Sequence, residues 1–316
     1  MNNFKLQIYI EMLLHKIPQR FKTAYFPFVM VLMGLIVGCS LLNWILFIRS
    51  NTLIMHPVLV FIGAPAILSG LAVLYWLRPR FKKLTYAGLT DEKHVDNTLL
   101  FHLVAVILLT TVSYYSQNLL EDTLTKVVKL HDIAEIHDPR KFKFYSVQDY
   151  IVKKDLYGSF FSIITHAHQN RFGQSRPTYE MDLFFVFPVF TKTKQIPVVW
   201  VGVHYNDSIE SSREKGSLER AEKKFVAEAV KKTQEMTLDK FYYLESLTDN
   251  FEIVGFDNAI SNSPIKLTQA RLVLLGAYKP LKDKVDEDFS YFIASLLISL
   301  SIWFVVVCLW ATDQDL

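Results

Sequence analysis

Apolar residues along this 316-residue chain collect in blocks near its two ends, whereas Gln117 to Asp288 mixes them with charged ones. Four blocks are long enough to cross hydrocarbon. A helix there needs roughly 20 predominantly apolar residues, because no water is available to satisfy the backbone. They are Phe26 to Ile48, closed by Arg49; Pro57 to Leu77, closed by Arg78; Thr98 to Tyr115, which contains His102; and Phe289 to Trp310. The first run is longer than the apolar segment of a secretory signal and has no clear small-residue cleavage site, so it is read as a retained helix. The pattern predicts a three-span region over 1–116, a soluble domain over 117–288, and a fourth span with a short tail over 289–316.

Within 117–288 the periodicity switches. Leu120, Leu124, Val127 and Val128 fall on one helical face, which predicts that the third span continues as an amphipathic stalk. His137-Asp-Pro-Arg ends it, since proline cannot continue the ladder. Strands rich in aromatic and β-branched residues are predicted at Phe142 to Val147, Ser159 to His168, Tyr179 to Phe190, Pro197 to Tyr205 and Ala270 to Tyr278. Gln169 to Pro177 reads as a hairpin connection. Ser211 to Phe241 reads as a surface helix with Leu218, Ala221, Phe225 and Ala229 on its apolar stripe, and 253–264 as irregular. Strands, helix, strand is the order of an α+β domain with a largely antiparallel sheet.

Charge sets the expected sidedness. Lys5, Lys16, Arg20 and Lys22 precede the first span, Arg49 alone follows it, and Arg78, Arg80, Lys82, Lys83 and Lys93 lie between the second and third. Cations beside spans stay in the cytoplasm, so the N-terminus and the Ala311 to Leu316 tail are expected inside and 117–288 outside. Lys279, Lys282 and Lys284 on the outer side run against the rule, but the first helices dominate it. The net charge of +3 implies no nucleic acid, because 117–288 holds 24 Lys and Arg against 25 Asp and Glu. The basic excess sits in the membrane-flanking segments.

Chemistry is sparse. The chain has no Gly-x-Ser-x-Gly, no phosphate-binding glycine loop, no dinucleotide fingerprint and no His-Glu-x-x-His. No cofactor is expected. Cys39 and Cys308 both fall inside predicted spans, so 117–288 can hold neither a disulfide nor a thiolate metal site. The metal candidates are His166 and His168, which alternate onto one face of a strand, with His204 joining from a neighbouring strand and Glu180 or Asp182 opposite. Solvated histidines at a strand end explain the same residues, as does pH sensing. In the spans, His102 and Asn43 are costly in lipid and should face other helices, and Pro65 should kink the second. Gly34, Gly38, Gly63 and Gly70, with Ala64 and Ala66, should let helices pack closely.

Phe26-Pro-Phe-Val, Asn43-Trp-Ile-Leu-Phe-Ile, Leu77-Arg-Pro-Arg, Lys143-Phe-Tyr-Ser-Val-Gln-Asp-Tyr, Phe187-Pro-Val-Phe, Trp200-Val-Gly-Val-His-Tyr and Phe241-Tyr-Tyr-Leu occur in that order. In this the chain resembles the N-terminal membrane-plus-soluble region that precedes the catalytic module in large rhomboid-type intramembrane proteases of Bacteroidetes. The Gly-x-Ser-Gly serine and later histidine of that module do not occur here, so no catalytic residue carries over. The resemblance implies a bacterial inner-membrane protein with a periplasmic accessory domain. The functional expectation is a non-enzymatic membrane protein, in contact with the bilayer, whose outer domain binds a protein partner or a second copy. The alternatives are a metal-dependent enzyme or sensor using His166, His168 and His204, and a transporter or channel subunit.

Overall fold

The computed structural model describes residues 21–49, 58–81, 84–86, 97–136, 142–169, 175–192, 197–210, 217–238, 240–247, 250–265 and 272–312. The chain divides into two compact units: a helical one carrying the long apolar helices, and a mixed one over Thr125–Leu281.

Four helices of the first unit are long and apolar enough to cross a membrane: α1 (Phe21–Ile48), α2 (Leu59–Leu77), α3 (Asn97–Leu124) and α6 (Leu281–Leu309). Near one end of the unit, Trp303 of α6 stacks on Phe28 at 4.5 Å, meets Phe101 edge-on at 6.2 Å, and donates through Nε1 to the Ala24 carbonyl at 3.4 Å. Towards the other end, Tyr291 of α6 lies 6.2 Å from Tyr115, and the hydroxyls of Ser40 and Ser116 are 3.3 Å apart. These pairs make α1 and α3 parallel to each other and α6 antiparallel to both. The interior holds Phe28, Leu32, Leu77, Phe101, Leu109 and Trp303, while Met30, Val37, Leu103, Ile107 and Leu297 point outward. That is the inverse of a soluble bundle's surface and suits a lipid solvent. Leu84–Tyr86 pairs antiparallel with Trp310–Thr312, so the fourth helix ends at Leu309 rather than at Trp310.

The third helix continues past Tyr115 to Leu124, and Ser116, Gln117, Glu121 and Asp122 on that stretch are buried. One expectation for the spans is corrected: the glycines do not bring described helices of this chain together. A Cβ built at Gly34, Gly38 or Gly70 meets nothing within 4 Å, and one at Gly63 meets only ordinary contacts with Val58 and Leu59 of its own helix.

The second unit is built on an eight-stranded mixed sheet. Its strands are β1 (Val127–Asp132), β2 (Phe144–Asp149), β3 (Ile151–Val152), β4 (Gly158–Gln169), β5 (Ser175–Phe190), β6 (Val199–Glu210), β7 (Tyr243–Ser246) and β8 (Val273–Ala277). The order is β1-β2-β7-β8-β6-β5, and the far side of β5 is shared by β3 and β4. β1 with β2 and β6 with β8 are parallel, and the remaining pairs are antiparallel. β5 reads Leu183-Phe-Phe-Val-Phe without polar alternation because both faces of the sheet are covered. Phe185 and Phe187 pack towards α4 (Ser217–Glu235), with Phe225 and Ala229. Phe184 and Val186 pack towards α5 (Asn250–Ser261), with Phe256, Ala259 and Ile260.

The amphipathic stalk is also corrected. The helix stops at Leu124, and Val127 and Val128 belong to a strand, where β-branched side chains fit a pleat paired in parallel to Phe144 and Tyr145. The region read as irregular forms most of α5, and Tyr243–Ser246 adds a strand. His137-Asp-Pro-Arg, residues 170–174 of the expected Gln169 to Pro177 connection, and residues 211–216 lie outside the described residues.

Candidate functional site

The titratable cluster of the mixed unit forms on the face of the sheet covered by α5. Side chains directly opposite in an antiparallel pair share a face. His204 of β6 is opposite Phe184, and two residues along β5 from Phe184 lies Asp182. His204 Nε2 is 2.9 Å from Asp182 Oδ1, and Nδ1 is 3.3 Å from Glu252 Oε1 on α5. Both ring nitrogens donate only in the imidazolium form. In its protonated form the ring clamps two carboxylates, one from the sheet and one from the helix.

The surroundings fix this geometry. The His204 ring lies flat on Phe184 at 4.3 Å with 5° between planes, and Phe184 meets Phe256 edge-on at 5.2 Å. Gly255 and Gly202 are what let α5 approach so closely: a Cβ at Gly255 would lie 2.5 Å from the Phe184 ring, and one at Gly202 2.7 Å from Phe256. Asp182 is 1% exposed, against 17% for His204 and 27% for Glu252. Burial opposes the charge on His204, but its hydrogen bonds to Glu252 and Asp182 and their negative charges outweigh it, so the pKa lies above the ordinary imidazole value.

His166 and His204 do not come together. His166 of β4 is opposite Thr178, six residues along β5 from Phe184, which is about 20 Å at strand rise and one strand further over. His166 Nε2 instead lies 2.9 Å from Glu180 Oε2, in an exposed pair. His168 lies opposite Arg176 in the backbone register, and its side chain falls outside the described residues. Zinc ligands sit about 2 Å from the metal, so His204 and His166 cannot share one ion. Among the described residues no group of three His, Cys, Asp or Glu is arranged to hold a metal. Pairing of β4 with β5 puts Glu180 beside His166, whereas Asp182 meets His204 of β6 and not a histidine of β4. Glu252 joins them from a helix that occupies much of the segment expected to be irregular, and no sequence motif marks it.

A second feature lies at the sheet's margin. Among the described residues β4 pairs with β5 alone. The Ser159 carbonyl accepts from Asn262 Nδ2 at 2.9 Å, so it points away from β5, and alternation turns the backbone groups of Phe161, Ile163 and Thr165 the same way. Ile163 is 37% exposed. From Gly158 to Gln169 there is no Lys, Arg, Asp, Glu or Pro. Soluble proteins usually guard an edge strand with such residues against pairing with another chain; this edge carries none of them.

No protein-family model, no curated protein and no solved structure matches this chain.

Proposed function

We propose that the chain is a non-enzymatic, multi-pass protein of the bacterial inner membrane, with its Thr125–Leu281 unit outside the cytoplasm, where it binds a protein partner. The observation that carries the binding reading is the edge of β4, which pairs with β5 alone among the described residues and carries no Lys, Arg, Asp, Glu or Pro. An extended partner segment adding there would satisfy the outward N–H and C=O groups of Phe161, Ile163 and Thr165, with main-chain hydrogen bonds supplying affinity. The basic residues flanking α1 and α2 support the sidedness. The cluster around His204 supports a structural rather than catalytic role for its histidine, since both ring nitrogens are already engaged with carboxylates. An accessory domain of this kind also fits the resemblance to rhomboid-type N-terminal regions.

A photo-crosslinking amino acid at Thr165, in the full-length protein in its native membrane, should trap a discrete partner. Ile163→Lys places a charge on the edge without entering the core, and should reduce the adduct about tenfold, corresponding to roughly 1.4 kcal/mol of lost binding. An adduct of undiminished yield in Ile163→Lys, or none in the parent, overturns the reading.

A further inference from the structure

The end of the helical unit where α1 begins has an excess of cations. From Met12 to Thr90 there are eight Lys or Arg and no Asp or Glu, and all of the eight but Arg49 come before Phe26 or after Leu77. Those two flanks meet in the fold. The turn Arg78–Phe81, which follows α2, packs against Phe21–Tyr25 at the start of α1. Lys22 and Arg78 lie on these two segments and both are exposed.

The backbone beneath both cations is fixed. The rings of Phe21 and Tyr25 lie 5.9 and 6.2 Å from that of Phe304 on α6, and the Ala24 carbonyl accepts from Trp303. Leu77, next to Arg78, is buried in the same cluster as Ala24 and Phe28. A ligand held between Lys22 and Arg78 therefore has little chain to order, which lowers the entropic cost of binding it.

Charge and exposure together identify the chemistry of that ligand. The described residues at this end, 21–28, 73–81, 84–86, 97–103 and 303–312, include no Asp or Glu; the acidic residues adjoining them in sequence, Asp91, Glu92, Asp96, Asp313 and Asp315, lie outside the described residues. An anion suits such a place. A guanidinium matches phosphate oxygens two at a time, and an ammonium adds a point charge. Tyr75 and Trp76, immediately before Arg78, are 80% and 59% exposed. Side chains with an apolar body and a polar tip favour the level of the lipid headgroups, and a phosphate at that level belongs to a lipid. A zwitterionic headgroup would also bring an ammonium, for which these residues offer no carboxylate, so the site favours an anionic one.

We propose that Lys22 and Arg78 bind the phosphodiester of an anionic phospholipid, with Tyr75 and Trp76 in the headgroup layer beside it. The bound phosphate offsets the repulsion between cations that the packing of α1 against the end of α2 brings together. The site lies wholly in the helical unit and does not depend on the partner binding proposed for β4.

Native mass spectrometry of the full-length protein, in an uncharged detergent with equal amounts of phosphatidylglycerol and phosphatidylcholine, tests this. Wild type should retain phosphatidylglycerol in preference by about tenfold or more, since each cation beside an anionic surface strengthens binding about fivefold. Lys22→Gln with Arg78→Gln should reduce that preference to about twofold or less. Lys22→Arg with Arg78→Lys, which keeps both charges, should retain it. Arg49→Gln, at the opposite end of α1 with its guanidinium 5.9 Å from the centre of the Trp44 ring, should match wild type. Should the double glutamine variant not fold, Arg78→Gln alone should lower the preference about fivefold. Equal retention of the two lipids by wild type, an undiminished preference in the folded glutamine variants, a loss as large in Arg49→Gln, or displacement of the lipid by an equal concentration of inorganic phosphate overturns the proposal.

Discussion

His204→Ala should destabilise the mixed unit by about 3–5 kcal/mol, the usual cost of removing one partner from a buried ion pair. The magnitude follows from Asp182: at 1% exposure it cannot recover water when the imidazolium is lost, and its second oxygen has no partner among the described residues. Glu252, at 27% exposure, contributes less because solvent screens it. Amide exchange of β5, β6 and α5 in the full-length protein reads the loss as weakened protection, and His204→Gln, which keeps one donor, should lie between wild type and alanine.

The same clamp fixes the sign of a pH dependence. The folded pKa of His204 is raised, so the folded state holds the proton more tightly than the unfolded chain. The clamp's contribution is complete below the ordinary imidazole value of about 6.5 and disappears as pH rises through the raised folded value. Above that window a neutral ring donates to one carboxylate instead of two. The stability gap between wild type and His204→Ala should therefore narrow as pH increases across it. A gap that does not change with pH would mean that His204 acts by packing on Phe184 alone.

Gly158→Val is the second large effect. A Cβ at this position would lie 2.0 Å from the Ala259 carbonyl oxygen and 3.0 Å from the Ser263 Cβ, so backbone must move. Overpacking of this kind costs about 1–3 kcal/mol. Here the displacement also threatens two hydrogen bonds, Asn262 Nδ2 to the Ser159 carbonyl at 2.9 Å and the Ser263 hydroxyl to the Leu156 carbonyl at 3.3 Å, each worth about 1 kcal/mol. The C-terminal turn of α5 should lose protection from exchange and become sensitive to protease. Gly34→Ala in α1 is the contrast: with nothing within 4 Å of the new Cβ it should be tolerated, since alanine is the better helix former by about 1 kcal/mol. Equal stability of Gly158→Val and wild type would show that α5 is not seated on β4 as described.

The sequence displayed the strands better than the helices around them. The aromatic and β-branched run Tyr179 to Phe190 marks a strand, and its pairing with Ser159 to His168 sets Glu180 near His166, whereas the meeting of Asp182 with His204 on the next strand is visible only in the structure. α5 escaped notice because Gly255 sits in its middle, a poor helix former that is retained to admit the Phe184 ring. Val127 and Val128 fitted a helical stripe and a strand equally well, and only the parallel neighbour Phe144 to Val147 decides between them.

Sidedness is the premise of the proposed function and can be measured directly. A cysteine at exposed Asn206, in a Cys39→Ser/Cys308→Ser background, should react with a membrane-impermeant maleimide in intact cells whose inner membrane is sealed. Labelling that occurs only after that membrane is permeabilised would place the β4 edge in the cytoplasm and contradict an extracytoplasmic partner.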